Sequence, residues 1–143
     1  MTPKNPDFAS ATEAALLNQP LAEHLGIVLS GIGAGWFETT LKIERIHLQH
    51  DGIVHGGVLA TLADLGLALA AHTLVAAGQR VVTIEFKINY LRAVAGESVR
   101  CRADVVRPGN TVTVSESELW LLNDGKEVLV AKAMGTIAVL SGS

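Results

Sequence analysis

Residues 56–77 read GGVLATLADLGLALAAHTLVAA, and residues 82–90 read VTIEFKINY. The first stretch is apolar on almost every side, which predicts one long helix enclosed by the rest of the fold and ended by Gly78 and Gln79. Its residues 58–77 are long enough to mimic a membrane span. Asp64 and His72 lie inside that run, however, and no basic cluster flanks it closely. A charge at mid-membrane is costly, so the reading adopted is a helix buried in protein, with no membrane as partner. In the second stretch Val82, Ile84, Phe86, Ile88 and Tyr90 alternate with Thr83, Glu85, Lys87 and Asn89, a strand of period two.

Working downstream, Val99, Cys101, Ala103 and Val105 alternate with Arg100, Arg102 and Asp104. Pro108-Gly109-Asn110 marks a turn, 111–122 a further strand, Asn123-Asp124-Gly125-Lys126 a hairpin, and 127–140 the last strand. Upstream, 27–33 and 36–46 are strand-like around Gly33-Ala34-Gly35; with no helix after these glycines, they form a hairpin rather than a nucleotide loop. Residues 8–18 have helical composition and are stopped by Pro20; a short helical piece follows to His24, and 1–7 are expected to be a mobile end. The order is helix, hairpin, long buried helix, then a four-strand meander. Half-polar strands belong to an antiparallel sheet with one covered face, so the expected fold is α+β, a sheet wrapped around one central helix. The organisation expected is a tail and short helix over 1–19 and a single domain over 20–143.

A chain of 143 residues fits one domain, and 49% hydrophobic against 17% charged residues can fill a core. Eleven basic residues against fourteen acidic ones give net charge −3, without the basic surplus of a nucleic-acid binder. The start carries no apolar run behind a basic patch, and the single cysteine, Cys101, excludes an internal disulfide framework; both fit a reducing, cytoplasmic setting.

The chemistry lies in 49–64, QHDGIVHGGVLATLAD. No basic residue lies within one helical turn of Asp64, so no local ion pair satisfies its carboxylate. Two readings are open: a carboxylate bonded to a backbone group or hydroxyl such as that of Thr61, or a base or nucleophile in a partly dry pocket. Gly56 and Gly57, poor helix formers at a helix start, permit close backbone approach and present amides to an anion or developing oxyanion; a plain loop-to-helix turn is the other reading. Gly56 and Asp64 stand eight residues apart, about 12 Å along the helix axis. If both act on one atom they must come from different chains, with the site at a dimer interface.

Gln49, His55-Gly56-Gly57 and Asp64, nine residues after the histidine, resemble the hotdog-fold acyl-CoA thioesterases of the PaaI-like group. The segment 83–92, TIEFKINYLR, is similar to that group's third strand, which typically ends in a Tyr-Leu-Arg run, and the resemblance covers roughly residues 20–140. It implies hydrolysis of an acyl-CoA to free acid and coenzyme A, without a cofactor, by a homodimer or a homotetramer built as a dimer of dimers. Asp64 would be general base or nucleophile, the Gly56 amide would polarise the thioester carbonyl, and Gln49 would sit near the thioester. His55 would orient the loop, Gly57 would join the substrate-binding backbone, and Thr83 would hold the attacking water. By parity with Glu85 and Lys87, though, Thr83 belongs on the outer face unless the strand start bends. The chain departs from the group in having Ala93-Val94 after Leu91-Arg92 and Pro108-Gly109-Asn110 at the later turn; Arg92, then Arg107, are the candidates for coenzyme A phosphate contacts.

Leu67, Ala68 and Ala71 are expected to line an apolar acyl pocket. His47, His50, Asp51 and His55 match no common metal-ligand spacing, so no metal is expected. His72 reads as a satisfied core histidine, Cys101 as buried filler, and Trp36 and Trp120 as core or interface packing. Two rival functions remain: a hydratase or dehydratase on the same fold, which needs a histidine acting directly on the acyl chain, and a non-catalytic acyl-CoA binding or sensing module.

Overall fold

The computed structural model describes residues 1–142. Helices α1 (Phe8–Leu17) and α2 (Pro20–Leu25) precede a hairpin of β1 (Ile27–Gly33) and β2 (Trp36–Lys42). Helix α3 (Gly56–His72) follows, then β3 (Arg80–Tyr90), β4 (Ser98–Arg107), β5 (Val112–Asn123) and β6 (Lys126–Leu140). The sheet order is β1-β2-β4-β5-β6-β3, with every neighbouring pair antiparallel. The α+β arrangement read from the sequence holds: α3 packs on β2, β3, β4, β5 and β6 alike. Phe37, Leu41, Val99, Leu119 and Ile137 from the sheet and Leu62 and Leu67 from the helix are sealed from solvent between them. Among the described residues no helix is long and apolar enough to cross a membrane.

The expected four-strand meander is corrected. Only β4, β5 and β6 form one; β3 pairs with β6 at the far edge, and β4 with β2. The cause is the connection over 91–97, which carries no tight-turn geometry and instead crosses the end of the sheet. Its Leu91 and Arg92 amides donate to the Val130 carbonyl, and its Val94 is buried.

Helix α3 ends five residues short of the expected Ala77. Thr73 donates its hydroxyl to the Ala70 carbonyl and accepts from the Gly35 amide, competing with further helical bonds. Strand β2 ends at Lys42 rather than at residue 46, because Glu44 and His47 form a reciprocal cap on a single 3-10 turn, Arg45–His47. The tail is not loose either: the Lys4 amide donates to the Leu74 carbonyl and its ammonium to Asn110. Leu16 of α1 joins the main core.

Candidate active site

Helix α3 is sealed on most sides, and its less buried positions Thr61, Asp64, Ala68 and His72 recur every three to four residues as one stripe. Beneath that stripe lies a cavity of about 450 Å³, bounded by α1 and α2 on one side and by residues 80–83 of β3 on the other. Of the expected pocket residues only Ala68 reaches it. Leu67 and Ala71 sit a quarter-turn away along the helical period and are fully buried.

Thr83 donates its hydroxyl to Asp64 Oδ1 at 2.6 Å. Its parity with Glu85 and Lys87 is broken by a β-bulge: Thr83 pairs with Ile137 but Glu85 with Thr136, leaving Ile84 as the extra residue. The bulge lies against Gly135, where a Cβ would come within 2.7 Å of Phe86 Cβ and 2.8 Å of the Glu85 carbonyl. Ahead of the bulge Val81 and Thr83 turn inward, and behind it Phe86 and Ile88 do. Val82 and Ile84, expected on the covered face, are therefore more than half exposed, at 51% and 58%; Tyr90 keeps the parity of Phe86 and Ile88 but, as the last residue of the strand, is 51% exposed.

Of the open readings for Asp64, the local partner Thr61 is ruled out, since its hydroxyl donates to the Gly57 carbonyl. None of the ion pairs among the described residues includes Asp64. Its carboxylate thus has one hydroxyl donor and an open face on the cavity, an arrangement able to accept a proton from water held there.

The start of α3 forms a second cluster. His55 is the N-cap, and its Nδ1 accepts from the Gly57 amide at 2.9 Å. Gly57's amide is thereby engaged, whereas Gly56's amide, in the first helical turn, has no acceptor among the described residues. With Nδ1 accepting, a neutral His55 carries its proton on Nε2. Tyr90, read in the sequence only as part of the strand and its Tyr-Leu-Arg ending, donates its hydroxyl to the Gly56 carbonyl at 2.9 Å. A Cβ on residue 56 would meet the Tyr90 ring at 3.3 Å, so glycine admits this close approach. Arg92 is exposed and lines a separate hollow with Gly56, Leu59 and Tyr90. Gln49 folds back on its own loop, its side-chain oxygen accepting from the Asp51 amide. Asp64, Thr83 and Ala68 thus gather at one place in the chain, and Gly56, His55 and Arg92 at another.

The remaining candidates have structural partners. His47 is buried; Nδ1 accepts from the Glu44 amide, which leaves Nε2 to donate to the Leu25 carbonyl at 2.7 Å. Burial pushes the Cys101 thiol up to about 12, and its Sγ lies 3.3 Å from the Leu62 carbonyl it donates to, as expected of filler. Trp36 and Trp120 are not core residues: they lie only partly buried on the outer face, with the Arg102 guanidinium 3.8 Å from the first ring's centre and Arg100 5.9 Å from the second's. Arg107 closes β4 opposite Val114 and lines neither hollow.

Residues 51–128 match the thioesterase superfamily. A thioesterase family protein from Silicibacter pomeroyi is 31% identical and superposes with a TM-score of 0.93, over 94% of this chain and 99% of that one. A thioesterase from Haemophilus influenzae is 27% identical with a TM-score of 0.84, over 99% and 96% of the two chains. The E. coli PaaI protein from the phenylacetic acid degradation operon is 25% identical with a TM-score of 0.85, over 98% of each.

Proposed function

The chain belongs to the thioesterase superfamily and has its hotdog fold, and from that premise we propose that it hydrolyses an acyl-CoA to free acid and coenzyme A at a site shared between two subunits. The observation that carries the reading is the Thr83–Asp64 hydrogen bond at the wall of the cavity. Asp64 is the general base. Thr83 spends its one proton on Asp64, so its oxygen lone pairs and the second carboxylate oxygen are two adjacent acceptors, able to hold both hydrogens of one water. A lone pair of that water is then free to attack the thioester carbonyl while Asp64 takes the proton. The tetrahedral oxyanion needs a donor, and the coenzyme A thiolate leaves as the carbonyl re-forms.

The free amide of Gly56 is the fitting donor, but it lies about 12 Å along α3 from Asp64 in the same chain. A second copy supplies it. Strand β3 is an edge of eleven residues with Val82 and Ile84 exposed beside unpaired backbone groups, the kind of edge that pairs with another strand. Antiparallel pairing of two β3 edges centred on Lys87, with Ile84 taken up by the bulge, sets Thr83 across from the partner subunit's Tyr90. Since Thr83 holds Asp64 and Tyr90 holds Gly56, the same pairing brings Asp64 towards the partner subunit's Gly56. His55 holds the cap that leaves this amide open, Gly57 is part of that cap, and Gln49 shapes the loop before it. Ala68 borders the acyl group, and Arg92 stands where the coenzyme's phosphates approach the Gly56 hollow. The assembly is a homodimer or a homotetramer of two such dimers, and the buried, unreactive thiol fits a cytoplasmic place of work.

Thiol release from a panel of aliphatic and aryl acyl-CoAs tests the reaction. Asp64→Asn keeps an acceptor for Thr83 but removes the base, and kcat is expected to fall about a hundred- to ten-thousand-fold with the fold intact. A folded Asp64→Asn protein with undiminished turnover would overturn the assignment.

A further inference from the structure

The cavity continues past Ala68. Helix α3 and β3 run past each other in opposite directions: Thr83 lies against Asp64, while His72 and Arg80 both line the far end. Ala15 of α1 and Gln19, the residue before α2, line the cavity as well.

His72 is the polar group placed there. Its Nδ1 lies 2.8 Å from Thr12 Oγ1, and Thr12 is fully buried with no other side-chain hydrogen bond among the described residues. The hydroxyl proton has no other acceptor, so Thr12 donates to Nδ1. Burial pushes the His72 pKa below its ordinary value, which favours the neutral ring. The proton of that neutral ring is therefore on Nε2. This atom has no acceptor among the described residues, yet it is not sealed: the sealed, unpaired polar side-chain atoms are hydroxyls of Thr39, Ser115 and Ser117. His72 lines the cavity, so its unsealed Nε2–H is a donor there in want of an acceptor.

We propose that His72 is a specificity-determining residue, donating from Nε2 to an oxygen at the far end of the acyl group, and that the substrate class is a medium-chain acyl-CoA hydroxylated at or next to its terminal carbon. The inference rests on the thioesterase reading of Asp64. Asp64 and His72 are eight residues apart, about 12 Å along the helix. An extended chain advances roughly 1.2 Å per bond, and both side chains reach inward from their ends, leaving room for about six to eight carbons. An unsubstituted chain of that length would strip Nε2–H of water and give it nothing in return.

The test compares octanoyl-CoA, 8-hydroxyoctanoyl-CoA and octanedioyl-CoA as substrates, with binding of the matched, non-hydrolysable S-alkyl-CoA thioethers measured alongside. The hydroxylated substrate is expected to exceed octanoyl-CoA in kcat/KM by about ten- to a hundredfold. The ratio should collapse towards one in His72→Leu and fall in Thr12→Val, which removes the donor that fixes the tautomer. Being a ratio within each protein, it is insensitive to a loss of folded material. An equal rate for the two substrates in the wild type, or an undiminished ratio in either variant, overturns the assignment. So does a preference for octanedioyl-CoA, which would give the far end to Arg80. If nothing is hydrolysed but the thioethers show a His72-dependent difference, the thioesterase reading fails and the His72 assignment stands; no hydrolysis and no difference sinks both.

Discussion

The two ends of β3 each send a hydroxyl to α3, to acceptors of unlike chemistry. Thr83 donates to the Asp64 carboxylate beside the cavity, while Tyr90, more than half exposed, donates to the Gly56 carbonyl at the helix start. A hydroxyl on a carboxylate that takes up a proton acts on a group whose charge changes during the reaction. A hydroxyl on a backbone carbonyl only fixes where that backbone lies. One strand thus positions the proposed base at one end and an open amide at the other, too far apart in one chain to serve the same atom.

The comparison breaks most sharply at Gly56. Gly56→Pro removes the open N–H at the first helical position, where proline is tolerated, and the preceding His55 already has the extended conformation (φ −59°, ψ 134°) that proline demands. Loss of an oxyanion donor predicts a kcat lower by about a hundred- to a thousandfold with little change in Tm. Gly56→Ala is the control, since it brings the same Cβ towards Tyr90 but keeps the amide. In verified heterodimers of Gly56→Pro and Asp64→Asn chains, one site regains both groups, so about half the wild-type turnover per dimer is expected. Heterodimers no more active than either parent would place both groups' work within one chain and break the contrast between the two ends.

Thr83→Val sharpens it from the other side. A hydrogen bond to a charged group contributes about 1.5–3 kcal/mol. If that contribution supports the transition state, kcat falls about ten- to a hundredfold while KM stays near its wild-type value. This is also where sequence and structure part. The elements, the enclosed helix and Asp64 were legible because apolar periodicity and an unpaired acid leave local marks. The inward turn of Thr83 was not, because the bulge at Ile84 depends on Gly135, fifty-one residues away on β6. The place of β3 at the far edge was hidden for the same kind of reason, since strand order is a non-local property that alternation does not encode. The place of His72 on the cavity could have been found: it continues the stripe Asp64–Ala68 by one more helical turn, which its reading as a core residue passed over.

Tyr90→Phe carries the smallest effect, and it tests the contrast most directly because it deletes one oxygen and leaves the ring over Gly56. The lost bond is neutral and partly exposed, with a contribution of about 0.5–1.5 kcal/mol. If Tyr90 only locates the helix start, that loss appears as a slightly lower Tm, and kcat falls less than about tenfold. A loss equal to that of Thr83→Val would mean that the Tyr90 hydroxyl acts on the reacting centre itself. The division between a base-holding end and a backbone-holding end of β3 would then be wrong, even if both ends meet at one dimer interface.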